Sequence, residues 1–256
     1  MIPIACAVVL GLFVGSGLST IALRLPYRAE LRAPAHCPVC ERQLRLNDRI
    51  PLVSWLLLVG KCRYCGTFLG WRYPAMELAT GALFGLCVWR VGLSPILPAL
   101  LYMAAIAVVL TAIDLDVHRL PDALTLPSYA VLLMLLTGAS IATGDLSALL
   151  RAGISALVLF AGYYAIAMFG GMGFGDVKLA GVLGLLLGWH SWSMLIVGTV
   201  LGFALGGVIS VVLLLFGWAK RDTHIAFGPF MLAGALGALL LAQDVTVADL
   251  TGWAWA

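Results

Sequence analysis

The sequence predicts an all-α polytopic membrane protein with about eight transmembrane helices and a small cytoplasmic zinc-binding loop domain. Of its 256 residues, 62% are hydrophobic and only 11% are charged, whereas soluble domains carry about 25% charged residues. The mean hydropathy is +1.07. Apolar residues gather into runs long enough for membrane helices, which need about 20 residues each. These features exclude a soluble globular protein, and no long basic or acidic tail suggests nucleic acid as a partner.

Eight apolar runs follow one another along the chain. The sixth is short and the seventh is long, so their shared boundary is left open. The predicted spans are Pro3–Leu23, Tyr73–Trp89, Pro95–Ile113, Ala123–Ala142, Ser147–Phe169, Val177–Leu187, Ser193–Trp218 and Phe230–Gln243.

The distribution of basic residues predicts the orientation. Thirteen of the 15 lysines and arginines lie in or beside odd-numbered connections, and only Arg90 and Arg151 lie beside even-numbered ones. Cytoplasmic loops carry the excess of positive charge in membrane proteins. We therefore expect the N-terminus outside and the polar segment after the first span in the cytoplasm.

Four cysteines in that polar segment form two Cys-x-x-Cys pairs, Cys37 with Cys40 and Cys62 with Cys65. Two such pairs at this separation are typical of a zinc site with four thiolate ligands. Free thiols or a redox pair are the alternatives, but disulfides are disfavoured in the cytoplasm. Closed four-coordination leaves no open position on the ion, which favours a structural rather than a catalytic metal.

Carboxylates stand at the ends of two long apolar runs. Asp114 and Asp116 close one run, and Asp176 closes another in the sequence Gly-Met-Gly-Phe-Gly-Asp. Ionisable groups at the edge of a span are costly and usually functional. On a continuous helix Asp114 and Asp116 point to different sides, so only one of them can face Asp176. Spacing alone leaves open which one. Asp122 is expected to be the N-cap of the fourth span.

Two carboxylates at one membrane face predict peptide hydrolysis without a nucleophilic side chain. Carboxylates at about 3 Å share a proton, so one can activate water while the other polarises the scissile carbonyl. Gly173 and Gly175 would let an extended substrate backbone approach Asp176. The alternative for these glycines is a flexible turn. A different class, a transporter whose aspartates carry protons or cations, would also explain the carboxylates but not the cysteine loop.

An ordered set of short motifs resembles the type IV prepilin peptidases, which are bacterial G-x-G-D aspartyl proteases of the inner membrane. The motifs lie along most of the chain. They are Val14–Ser16, Arg24–Pro26, both cysteine pairs, Ile50–Trp55, Gly60–Cys62, Arg72–Pro74, Glu77–Thr80, Ile113–Asp116, Leu120–Asp122, Gly173–Asp176 and Phe227–Pro229.

The resemblance implies a catalytic pair made of Asp114 and Asp176. It implies cleavage of the basic leader from type IV prepilins or type II secretion pseudopilins after a glycine. In many members of the family, the new N-terminus is then methylated with S-adenosylmethionine as the methyl donor. Gly60 lies in the family segment tied to methyl transfer, although it could simply be a turn before the second cysteine pair. A peptidase without methyl transfer is the remaining alternative.

The predicted organisation has three parts in a bacterial inner membrane protein. Residues 1–23 form the first transmembrane helix. Residues 24–72 form the cytoplasmic tetracysteine domain, which is also the candidate methyltransferase region. Residues 73–256 form the transmembrane aspartyl peptidase domain.

Overall fold

The computed structural model describes residues 1–27, 36–37, 39–43, 48, 50–169, 172–218 and 226–241. A short 3₁₀ turn, Leu25–Tyr27, follows the first helix. The helices are α1 Ile2–Arg24, α2 Val53–Leu57, α3 Arg72–Val91, α4 Leu97–Val117, α5 Asp122–Thr143, α6 Ser147–Met168, α7 Phe174–His190, α8 Trp192–Leu215 and α9 Gly228–Leu241. The only strand-like pairings in these described ranges are two isolated β-bridges, which confirms the all-α class.

Five of the described helices, α1, α4, α5, α6 and α8, are long and apolar enough to cross a membrane. The protein is therefore a multi-pass membrane protein. The predicted spans two, six and eight coincide with α3, α7 and α9, so the total of eight crossings stays a prediction. The end of the eighth span at Gln243 lies outside the described residues. So do six of the counted basic residues, Arg28, Arg32, Arg45, Arg49, Lys220 and Arg221.

The first compact unit comprises Met1–Leu93 and Leu100–Ile113. In it α1 and α3 pack closely through glycines. A Cβ added to Gly11 would lie 2.8 Å from the Cα of Gly81, and one added to Gly15 would lie 2.8 Å from the Cα of Glu77. Small residues let helix backbones approach in this way in membranes. The contact aligns α3 along α1.

The second compact unit comprises Ser94–Ala99 and Asp114–Ala256. The glycine series Gly198, Gly202 and Gly206 is buried on α8, and a Cβ on Gly202 would lie 3.3 Å from Met231 of α9. These glycines therefore let α8 and α9 pack closely. In the same unit α6 packs extensively against α7, and α7 begins with the predicted Asp176 segment.

The structure decides two helix ends. The boundary between the sixth and seventh predicted spans, which the sequence left open, falls at Ser191, because α7 runs to His190 and α8 begins at Trp192. The guanidinium of Arg151 donates to the carbonyls of Gly188 at 2.7 Å and Trp189 at 2.5 Å, and so satisfies groups that a helix end leaves unpaired. Asp122 is the first residue of α5 rather than its N-cap, which is Pro121.

Candidate active site

Asp114 lies in the last turn of α4 and is only 4% exposed. The helix continues through Asp116 to Val117, so the prediction that the two aspartates point to different sides is confirmed. Asp116 is exposed. The backbone N–H of Gly228, at the start of α9, donates to Oδ2 of Asp114 at 3.1 Å. A buried carboxylate needs such a partner, because an unpaired buried charge is costly.

Asp176 lies in the first turn of α7, where the helix dipole favours negative charge. Its backbone N–H donates to the carbonyl of Gly173 at 3.1 Å. Leu120 lies against both Gly175, the residue before Asp176, and Gly228, whose N–H binds Asp114. Both belong to the second unit. The structure therefore places together the two aspartates that the motifs selected from the four singled out in the sequence.

Two residues near this pair had no assigned role in the sequence. A Cβ on Gly228 would lie 2.7 Å from Oδ2 of Asp114, a distance that real Cβ atoms do not tolerate. Leu120 is 8% exposed and lies against both Gly175 and Gly228. Both residues belong to short motifs that the resemblance contained, but only the fold brings those motifs next to Asp114.

Gly173 and Gly175 have different surroundings. Gly173 is exposed, and a Cβ there would lie 3.4 Å from Oδ2 of Asp176. Gly175 is half-buried, and its Cβ would lie 3.0 Å from Cβ of Leu120. Gly175 therefore allows close packing against Leu120 within the chain. The prediction of a close substrate approach to Asp176 therefore rests on Gly173 alone.

Asp122 pairs with Lys178 rather than joining the other aspartates. Nζ of Lys178 lies 2.7 Å from Oδ1 of Asp122, and the Asp122 side chain is 57% exposed. The hydroxyl of Tyr129 donates to the carbonyl of Lys178 at 2.7 Å. Two contacts thus join α5 to the first turns of α7, the helix that carries Asp176.

The four predicted metal ligands also come together. All four Sγ atoms lie within 4.8 Å of one another, with Cys37 3.7 Å from Cys65 and Cys40 3.9 Å from Cys62. Four thiolates bound tetrahedrally to zinc are about 3.8 Å apart, given a Zn–S bond of 2.3 Å. The cysteines are all free, and their spacing fits one tetrahedral ion.

The two cysteine pairs adopt the same local structure. The N–H of Glu41 donates to the carbonyl of Cys37 at 2.9 Å, and that of Gly66 donates to the carbonyl of Cys62 at 2.9 Å. Each turn then ends in the left-handed region, with φ of 55° at Glu41 and 73° at Gly66. Glycine suits the positive φ at position 66, because it has no Cβ.

At two of the four cysteines, hydrogen bonds in these turns favour the thiolate form that binds metals, whereas burial and the neighbouring thiols raise the pKa of Cys40 to about 11. The side chain and backbone of Thr67 lower the pKa of Cys65 to about 6. Backbone hydrogen bonds from Cys40 and Val39 lower the pKa of Cys37 below its usual value. Deprotonation on metal binding therefore costs less at these two ligands.

Comparison with known proteins gives the family. Residues 9–91 match the Bacterial Peptidase A24 N-terminal domain, and residues 101–211 match the Type IV leader peptidase family. The prepilin leader peptidase/N-methyltransferase of Stutzerimonas stutzeri is 34% identical, over 96% of this chain and 93% of that protein. The chain belongs to the type IV leader peptidase family.

Two further relatives carry the same name. That of Pseudomonas aeruginosa is 32% identical over 95% of this chain and 92% of its own length. That of Neisseria gonorrhoeae is 35% identical over 87% of this chain and 85% of its own length. No solved structure matches the chain. The family predicted from the ordered motifs is confirmed, and so is the prediction that the chain is an enzyme of the peptidase class.

This leader peptidase family member also has a recess in its first unit, apart from the aspartates in sequence. It encloses about 740 Å³ of empty space, its opening to solvent included, and its lining contains Trp55, Gly60, Lys61 and Glu77. Glu77 is 6% exposed, and its Oε2 accepts the N–H of Leu52 at 2.8 Å. The recess thus combines the buried carboxylate of Glu77 with an aromatic wall.

Gly60 supports that wall. Its φ is +67°, and a Cβ there would lie 2.7 Å from a ring carbon of Phe68 and 2.9 Å from one of Trp55. Nε1 of Trp55 donates to the carbonyl of Gly70 at 3.1 Å, which fixes the ring on its other side. Gly60 is therefore more than a turn before the second cysteine pair.

Proposed function

We propose that the chain is a prepilin peptidase in which Asp114 and Asp176 hydrolyse the peptide bond after a glycine. The observation that carries this proposal is that a 4% exposed Asp114 and the Asp176 segment lie in one compact unit, with Leu120 in contact with the neighbours of both. The names of the relatives support prepilins as the substrates. Type II secretion pseudopilins are substrates of the same kind, with a basic leader and a long apolar helix.

In the proposed mechanism the two carboxyl groups share one proton, so one is ionised and the other is protonated. The ionised carboxylate takes a proton from water, and the resulting hydroxide attacks the scissile carbonyl. The protonated carboxyl donates a hydrogen bond to the carbonyl oxygen, where negative charge develops. When the tetrahedral intermediate collapses, a carboxyl gives a proton to the leaving amine, and the new N-terminus is free. The N–H of Gly228 fixes Asp114 throughout.

A direct test uses purified protein in lipid vesicles with a synthetic prepilin. We expect the mass of the product to correspond to cleavage after the glycine. Replacing that substrate glycine by valine should slow cleavage far more than neutralising one lysine of the leader, because the scissile segment must extend closely past Gly173. Equal effects of the two changes would contradict this approach, and intact substrate would contradict the peptidase assignment.

A second activity, N-methylation of the new terminus from S-adenosylmethionine, is proposed for the recess around Gly60. The donor carries a sulfonium cation, which a carboxylate and an aromatic face both attract. Glu77 and Trp55 supply these groups in the lining of the recess. The same relatives are named as N-methyltransferases.

Replacing Gly60 by alanine should abolish methylation while leaving cleavage largely intact. The added methyl group would displace the ring of Trp55 or Phe68 from its position. The mass of the product reports both reactions in one sample, because cleavage removes the mass of the leader and methylation adds the mass of a methyl group. The matched control is Gly70→Ala, since Gly70 also has positive φ, +87°, but no described residue lies within 4 Å of its Cβ position. Equal loss of methylation in both variants would mean that backbone strain at a glycine of positive φ, and not the contact with the rings, causes the loss.

Zinc is the metal proposed for Cys37, Cys40, Cys62 and Cys65. Elemental analysis of freshly purified, reduced protein should give one zinc ion per chain. Cys62→Ser should lose the ion and make the cysteine segment sensitive to protease, because a structural zinc contributes folding free energy. Cys6→Ser, at a cysteine outside the set, should retain the metal. Metal-free wild-type protein with an intact segment would refute the site.

A further inference from the structure

The short segment between α1 and α3 exposes an unusual amount of apolar surface. Leu56 is 66% exposed, Leu57 78%, Val59 69% and Trp71 67%. We refer to these four side chains as the apolar patch. Contiguous exposed apolar surface in a folded protein generally marks a binding or membrane surface. The patch lies outside both the aspartate pair and the cysteine cluster.

The patch is held in place by an aromatic cluster. The rings of Trp55 and Trp71 have centroids 4.4 Å apart, and those of Phe68 and Trp71 are 6.2 Å apart. The N–H of Leu69 donates to the carbonyl of Gly60 at 2.7 Å. Trp71 is therefore fixed while most of its surface faces outward, so little conformational entropy remains to be lost when a partner covers it.

The patch continues the exposed face of α3. Trp71 is the N-cap of this helix, and Ala75, Leu78, Ala82 and Trp89, at four, seven, eleven and eighteen residues further on, are all exposed. These spacings lie on one side of an α-helix. The opposite side packs against α1, which is long and apolar enough to cross the membrane. In the predicted second span, this exposed side of α3 would face lipid.

The two tryptophans on this face have the separation of the two membrane interfaces. Eighteen residues of α-helix rise about 27 Å, which is close to the hydrocarbon thickness of about 30 Å. Trp89 is 64% exposed, much like Trp71. Tryptophan is enriched at both interfaces, where its ring lies at headgroup level. This spacing places Trp71, and the patch beside it, at the bilayer surface.

We propose that Leu56, Leu57 and Val59 insert into the headgroup–acyl boundary beside Trp71, so that the cysteine segment is anchored on the lipid surface. Short apolar elements bind membranes in this in-plane manner. Lys61 follows the patch and is exposed, so its ammonium can reach anionic headgroups. Arg63 contributes less, because it is paired with Asp48 at 2.7 Å.

Photo-crosslinking tests this anchor without relying on enzymatic activity. A benzophenone amino acid is placed at position 57 of the full chain, reconstituted in vesicles of phosphatidylethanolamine and phosphatidylglycerol. The matched control carries the same group at position 43, where exposed Gln43 belongs to the first cysteine turn. We expect mass spectrometry to find lipid adducts at position 57 in several times the yield at position 43.

Each other outcome overturns the proposal. Adduct yields at position 57 no higher than at position 43 would mean that the patch faces water. Crosslinking to a second copy of the chain would make it a protein interface. Addition of a synthetic prepilin should leave the lipid adducts in place, and their replacement by prepilin adducts would assign the patch to the substrate.

Discussion

Replacing Asp114 or Asp176 by asparagine is expected to abolish prepilin cleavage, with a loss on the order of 10⁴-fold, as for other paired catalytic groups. An amide has nearly the same volume as a carboxyl, so insertion into the membrane should be unaffected. Each amide, however, removes one of the two groups that must share and transfer a proton. Cleavage rates of the purified variants in vesicles, measured by product mass, check this expectation.

Asp116→Asn is the matched control, because Asp116 lies on the same helix two residues from Asp114 but is exposed. Its cleavage rate should remain far above that of Asp114→Asn. A loss equal to that of Asp114→Asn would mean that Asp116 takes part in the chemistry. Near-normal cleavage by either Asp114→Asn or Asp176→Asn would remove that residue from the proposed pair.

Gly228→Ala should lower the cleavage rate on the order of 100-fold, the effect expected from displacing a catalytic group by about 1 Å. The new methyl group would lie 2.7 Å from Oδ2 of Asp114. Either the carboxylate or the start of α9 must then move, and the 3.1 Å hydrogen bond from the Gly228 N–H would be strained or lost. Substrate binding should change less than turnover, so kcat should account for most of the loss.

Gly237→Ala provides the comparison within the same helix. In the part of the chain that the structure describes, no atom lies within 4 Å of a Cβ at Gly237, and alanine favours a helix interior over glycine. This variant should therefore cleave at the normal rate and be at least as stable. Similar losses in the Gly228 and Gly237 variants would locate the effect in α9 as a whole rather than at Asp114.

The sequence alone determined the chemical groups and the fold class. Long apolar runs form helices in a membrane, because a helix pairs its backbone polar groups within the segment. The observed helices follow these runs closely. Two Cys-x-x-Cys pairs predicted a four-sulfur cluster because each pair needs only a local turn. Asp114 could be selected over Asp116 only with the family motif, because helix spacing separates the two side chains without saying which one faces Asp176.

Only the tertiary structure decided which distant residues complete these sites. Gly228 lies 114 residues after Asp114, and no local pattern reveals that its N–H binds that carboxylate. The same holds for Leu120 against Gly175 and for Lys178 against Asp122. The recess around Glu77 likewise forms because α3 packs against the loop that precedes it. Local propensity is short-ranged, whereas a catalytic pair is positioned by helix packing, which sequence spacing does not specify.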